Sequence, residues 1–94
     1  MREPYNGYTN YPTWNAALWM HNDSPEKQRF YEKRAERLIE EYGKLEAKYL
    51  LADEIKEEIE LGKPEIEAST YSDLLNYAIS EINFIEVAET FIEE

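Results

Sequence analysis

Carboxylates are the most abundant reactive groups in this sequence, and they are concentrated in its second half. Asp and Glu number 21 against 10 Lys and Arg, which gives a formal net charge of -11. Residues 1–48 balance eight of each sign, whereas residues 49–94 carry thirteen carboxylates and two lysines. Such a field repels nucleic acid and anionic membranes and attracts basic surfaces. The charge therefore predicts a basic protein partner, with no direct nucleic-acid binding and no membrane association.

Five carboxylates are the strongest candidates for a partner-binding surface, because the helical pattern places them on outer faces. They are Glu54, Glu57, Glu58, Glu86 and Glu89. A rigid helix can hold such groups as an array that imitates the phosphates of a nucleic acid and occupies the basic groove of a nuclease or an RNA-guided complex. The alternative interpretation is a solvated face that keeps a small protein soluble.

No residues have the spacing of a recognised catalytic or metal site. His21 is the only histidine and there is no cysteine, so neither a paired histidine motif nor a thiolate site is available. Three glycines in the whole chain leave no phosphate-binding loop. Acid–base catalysis by two carboxyl groups needs a sheltered cleft, and a short helical domain offers few. We expect a protein that is not an enzyme and has no cofactor or metal, with His21 as an ordinary helix-end residue.

Aromatic side chains are the second set of candidate binding residues. Eight Tyr and two Trp exceed what a core of this size easily encloses, and both types are favoured interface anchors. The candidates are Tyr8, Tyr11, Trp14 and Trp19. The first three, together with Tyr5, recur every third residue and would line one side of an extended arm. That arm either lies on the helical core or is an exposed binding strip, and the same rings also suit a homodimer seam.

The elements that position these residues are predicted to be helices, since no alternating strand pattern with hairpin turns occurs. Residues 1–12 lack a helical period and predict an aromatic N-terminal arm. Thr13 is the predicted N-cap of a short helix over about 14–22.

A long central helix is predicted next. Ser24 is a good N-cap with Pro25 in the first helical position, and Gly62-Lys63-Pro64 ends the pattern. Apolar residues recur at spacings of three or four through Gly43 without losing phase. A straight helix over 25–61 would be about 55 Å long. The sequence therefore leaves two alternatives open, a break near Gly43 or a long helix along which the others lie.

Two shorter helices complete the predicted fold. Residues 70–73 match a capping box and open a helix through about Glu81, and Asn83 with Glu86 caps a second helix from 84 to about 93. The expected core-facing residues are Leu74, Leu75, Ala78 and Ile79 in the first helix, and Phe84, Ile85, Ala88, Phe91 and Ile92 in the second. The prediction is an all-α single domain over 1–94, a compact bundle of four or five helices with a long or kinked central helix.

Two blocks of this sequence resemble those of a family of short uncharacterised proteins. The first block comprises Asn10-Tyr11-Pro12-Thr13-Trp14-Asn15, Leu18-Trp19 and Asn22-Asp23, and follows the pattern N-Y-x-T-W-x-x-x-L-W-x-x-N-D. The second block comprises Tyr71, Asp73-Leu74-Leu75, Ala78, Ser80-Glu81-Ile82-Asn83-Phe84 and Glu86-Val87-Ala88, where the family usually has Trp in place of Phe84. Members occur in phages, plasmids and prokaryotic chromosomes. The resemblance implies a mobile-element context and assigns no activity or site.

These observations predict protein binding without catalysis. The location is expected to be the cytoplasm, because the sequence has neither a signal peptide nor a run of about 20 apolar residues. The first hypothesis is an acidic inhibitor or modulator that mimics DNA and acts on a nucleic-acid-handling defence system. The alternative is a small structural adaptor or dimeric accessory protein of a mobile element, which binds through Tyr and Trp and whose acidity serves only solubility.

Overall fold

The computed structural model describes residues 7–67 and 69–92, and these residues form four helices without a strand. The helices are α1 (Tyr11–Asn22), α2 (Pro25–Leu61), α3 (Thr70–Ser80) and α4 (Phe84–Ile92). The all-α prediction is confirmed. None of the helices in these ranges combines the length and the apolar character that crossing a membrane requires.

α2 is interrupted at Gly43, where the chain folds back on itself. The φ and ψ angles of Gly43 are 87° and 164°, a conformation that essentially only glycine adopts. Arg34 Nη2 lies 2.7 Å from Glu54 Oε2, whereas twenty residues of straight helix would separate the two by about 30 Å. Of the two alternatives that the sequence left open, the structure therefore shows the break, with antiparallel halves at 25–42 and 44–61.

Two predicted helix starts are confirmed in detail. The Ser24 side chain accepts a hydrogen bond from the Lys27 backbone N–H at 3.0 Å, and Pro25 lies in the first turn of α2. The Asn83 side chain accepts one from the Glu86 backbone N–H at 3.2 Å where α4 begins. In both cases a short polar side chain satisfies an N–H group that the helix itself leaves unpaired.

The other two starts lie earlier than predicted. α1 begins at Tyr11, within the stretch assigned to the arm, and the Asn10 side chain accepts from the Thr13 backbone N–H at 2.9 Å. The prediction of Thr13 as N-cap was wrong, because Asn10 caps the helix one turn earlier. α3 begins one residue early for the same reason, since Ser69 forms a reciprocal capping box with Ser72.

The hydrophobic core lies between α1, the two halves of α2, and α4. Its largest fully enclosed apolar side chains are Leu51, Ile55 and Val87. Burial of such a side chain contributes about 1.5–3 kcal/mol. The predicted core face of α4 is largely confirmed, since Ala88, Phe91 and Ile92 are buried and Phe84 and Ile85 pack partly against the core.

α3 contributes no buried residue. Leu74 is 60% exposed, and Leu75, Ala78 and Ile79 are only partly covered. The prediction that these four residues face the core was wrong. The core is already enclosed by α1, α2 and α4, and α3 lies at its margin with an apolar face bordering an open space.

Candidate functional site

An open groove of about 710 Å³ lies between α1 and α3 and ends against α2, and we refer to it as the α1–α3 groove. Its volume is in the range of ligand sites. The α1 wall includes Tyr11 and Trp19, which are 49% and 57% exposed. The α3 wall consists of Leu75, Ala78 and Ile79, the residues expected in the core. The groove therefore has apolar walls with two accessible aromatic rings.

The end of the groove at α2 carries charged side chains that contact one another. Lys27 Nζ lies 2.9 Å from a Glu58 oxygen and 3.2 Å from an Asp23 oxygen. The Tyr31 hydroxyl donates to Glu58 from the core side. Burial opposes ionisation of Glu58, but the hydrogen bonds from Tyr31 and Lys27 outweigh it and lower the Glu58 pKa. Burial, reinforced by the same carboxylate, raises the Tyr31 pKa, so the phenol stays protonated.

The other carboxylates of α2 and α4 that the sequence marked as candidates differ in their surroundings. Glu54 accepts a bidentate contact from Arg34, with 3.0 Å to Nε and 2.7 Å to Nη2. Glu89 lies 3.2 Å from Lys48 Nζ. Glu57 is exposed, and no ion pair to it occurs in the described part of the chain. With Glu58 held by Lys27, the candidates on α2 do not form a uniform free array.

Glu86, the fifth candidate carboxylate, fastens the N-terminal segment to α4. It accepts from the Thr9 backbone N–H at 2.9 Å and from the Thr9 hydroxyl at 2.6 Å. Asn10 donates to a backbone carbonyl at the end of α3 at 2.8 Å. The fully buried Thr13 accepts from the Asn83 backbone N–H at 2.8 Å. We call these contacts the clasp, and they show that residues of the two sequence blocks meet to hold the fold together.

Two of the four aromatic candidates lie outside the groove lining. Tyr8 packs partly against the core, and Trp14 is partly buried with its ring centroid 5.6 Å from that of Tyr11. The predicted strip along an extended arm was wrong for Tyr11 and Trp14, because both belong to α1. Tyr5 lies outside the described residues. Tyr11 and Trp19 are therefore the candidates that the structure brings to the groove.

His21 has a packing role. Its Nε2 lies 2.7 Å from Thr90 Oγ1, and its ring stacks on Phe91 with centroids 4.1 Å apart. The Thr90 hydroxyl donates to the Val87 carbonyl, so its oxygen accepts from the imidazole. Burial lowers the His21 pKa against a weaker opposite effect of Glu32. Over residues 7–67 and 69–92, no cluster of three or more His, Asp or Glu is placed to hold a metal ion.

The fold and the groove together define a small, acidic, all-α protein with an open apolar cleft beside its core. The chain belongs to DUF7249, a family of unknown function, which it matches over residues 1–94. The resemblance to an uncharacterised family is confirmed to that extent. No curated protein and no solved structure matches the chain.

Proposed function

We propose that the protein is a non-catalytic binding domain that holds a partner protein in the α1–α3 groove. The observation that carries this proposal is that α3 has an apolar face but buries none of its residues. A helix with such a face normally buries it against another element. Trp19 and Tyr11 stand opposite that face, and their side chains are of the types that most often anchor protein interfaces.

The charge around the groove supports a basic partner. α1 contains no Asp, Glu, Lys or Arg, and residues 62–82 contain one lysine against four carboxylates. The resulting negative potential steers a basic protein toward the groove. A second copy of the chain would instead bring together two molecules of net charge -11, which repel each other. The resemblance to proteins of phages and plasmids supports a cytoplasmic host protein as that partner.

A second candidate function is nucleic-acid mimicry, in the sense of an acidic inhibitor of a defence system. The observation that favours it is the exposure of Asp53, Glu57 and Glu60, which share one face of the second half of α2. Lys56 adjoins this row, and the neighbouring Glu54 is paired with Arg34. The acidic row is therefore shorter and less uniform than the sequence suggests, and the groove has the stronger support.

The test compares two variants that each add one carboxylate to α3. Ala78→Glu places the charge in the groove wall, whereas Ser80→Glu places it on an exposed position that is not part of the lining. Host proteins captured by the purified chain and by each variant are identified by mass spectrometry at about 50 and 500 mM salt, since exposed charge contacts are screened at the higher concentration.

We expect a specific partner that is captured by the wild type and by Ser80→Glu and is lost with Ala78→Glu. Because the groove is mainly apolar, part of this capture persists at the higher salt concentration. If Ala78→Glu captures the partner as well as the wild type does, the proposal is contradicted. If that capture is also abolished by Glu57→Lys and by 500 mM salt, the acidic-mimic function replaces it.

A further inference from the structure

The shape of the α1–α3 groove limits what can occupy it. On the α1 wall, the lining residues recur every four positions, from Tyr11 through Asn15 and Trp19 to Asp23. This row is about 18 Å long. On the other wall, Leu75, Ala78 and Ile79 share one face of α3, and Ile82 follows just past the end of that helix. The α1 wall is thus about three turns long and the facing wall about two, and parallel rows of side chains at helical spacing match the ridges of a third helix.

Resting on the proposed function, we infer that the occupant is a short amphipathic helix of the partner, about three turns long, with basic residues beside its apolar stripe. Helix-in-groove binding of this kind uses apolar anchors at positions i, i+3, i+4 and i+7. Anchors at that spacing reach the apolar walls, and Trp19 lies where it would cover one of them.

The charged end of the groove supplies the argument for basic residues. Asp23 and Glu58 both line the groove and share one cation, Lys27. Lys63 also lines the groove, and its ammonium group is directed to the Asn76 side chain at 2.8 Å. Asp23 is the more exposed of the two carboxylates, with 51% of its side chain accessible, so a lysine or arginine of the bound helix can pair with it. The net charge of -11 favours a basic helix over an acidic one.

A synthetic peptide tests this occupant directly. The probe is a 14-residue Leu/Lys peptide with leucines at i, i+3, i+4 and i+7, and it is added to the Trp14→Phe variant. Trp19 is then the only tryptophan of the protein, because the chain has two. We expect a saturable blue shift of Trp19 emission as the half-exposed ring is covered. Ala78→Glu in the same background should weaken binding about tenfold or more, and Ser80→Glu less than about twofold.

Two control peptides separate the parts of the inference. A peptide of the same composition with scattered leucines tests the helical stripe, and one with Glu in place of Lys tests the charge. Equal binding of the scattered peptide, equal binding of the acidic peptide, or no saturable shift at about 1 mM overturns the inference.

Self-association of the chain that is lost in Ala78→Glu also overturns the inference, because a second copy would then be the occupant. The proposed function has its own readout in the Ala78-dependent capture of a host protein. If that capture is found while the Leu/Lys peptide fails to bind, the function stands and only the identity of the occupant is wrong.

Discussion

α3 and α4 use similar apolar patterns in opposite ways. α4 buries Val87, Ala88, Phe91 and Ile92 in the core. α3 is two residues longer and buries nothing, although its sequence contains two leucines, an isoleucine and two tyrosines. An amphipathic pattern thus indicates that a face will meet another surface, without identifying that surface. In α4 the surface is the core, and in α3 we propose that it belongs to a partner.

The polar contacts follow the same division. α4 is tied to the rest of the molecule by the clasp at Glu86 and by the contact between Glu89 and Lys48. The clasp reaches α3 at the Glu81 carbonyl just past its end, where Asn10 donates, and the side-chain contact between Lys63 and Asn76 joins the helix to the loop that precedes it. Stability should therefore reside in α1, α2 and α4, and variants that separate the two regions can test this division.

The largest expected difference is between a buried ring of α4 and an exposed ring of α3. Phe91 is 4% exposed and Tyr77 is 65% exposed. Phe91→Ala should lower the free energy of unfolding by about 3–5 kcal/mol, because it removes a buried ring and leaves a cavity. Tyr77→Ala should change it by less than about 0.5 kcal/mol. Urea denaturation followed by circular dichroism measures both, and a comparable loss in Tyr77→Ala would show that α3 is part of the core.

The clasp provides the second test. Thr13→Val keeps the shape of the side chain but leaves the Asn83 N–H without its acceptor, and we expect a loss of about 2 kcal/mol. Thr13→Ser retains the hydroxyl group and serves as the control, with a smaller loss from the missing methyl group. The same denaturation experiment applies. If Thr13→Val and Thr13→Ser lower the free energy of unfolding equally, the hydrogen bond to the Asn83 N–H does not account for the contribution of Thr13 to stability.

Adding a single methyl group at Gly43 should destabilise the fold-back of α2. In Gly43→Ala the new Cβ meets no atom within 4 Å, so the cost comes from the positive φ angle alone, about 1–3 kcal/mol. Gly62→Ala is the control at a negative φ of -83°, although the added Cβ there would lie a tight 3.3 Å from the Glu58 carbonyl oxygen. Thermal unfolding of both variants checks this expectation, and an unchanged Gly43→Ala midpoint argues against a break at this residue.

The smallest expected effect is a dependence of stability on pH through His21. Burial lowers its pKa below the ordinary 6.5, so the unfolded chain binds the proton more readily than the folded chain. The free energy of unfolding should therefore fall as the pH drops below about 6.5. His21→Gln should flatten this part of the profile. It should leave the loss at lower pH, where protonation of Glu58 removes its contacts with Tyr31 and Lys27. If the free energy of unfolding of His21→Gln still falls with pH near pH 6, His21 is not the group responsible.

Much of the fold could be predicted because the decisive signals are local. Ser24 with Pro25, Gly62 and Asn83 each mark a helix boundary through neighbouring residues. Thr13 shows the limit of such signals. It looks like an N-cap, but its hydroxyl accepts a hydrogen bond from the backbone N–H of Asn83, seventy residues away. A contact over that distance leaves no local pattern in the sequence.

The candidate site was predictable only in part. Residue type alone pointed to Tyr11 and Trp19. Leu75 and Ala78 could not be recognised as a groove wall, because a core helix shows the same spacing. The pairing of Glu54 with Arg34 depends on the fold-back at Gly43, and the apolar stripe passes through that residue without a change of phase.

Native-state hydrogen exchange distinguishes an open α3 from a packed one, because it reports the local stability of each helix in the free protein. We expect the amides of α3 to exchange through small local openings, while those around Leu51 in α2 and Val87 in α4 exchange only with global unfolding. Protection of α3 equal to that of α4 would show that α3 is a packed part of the core, with no open face to offer a partner.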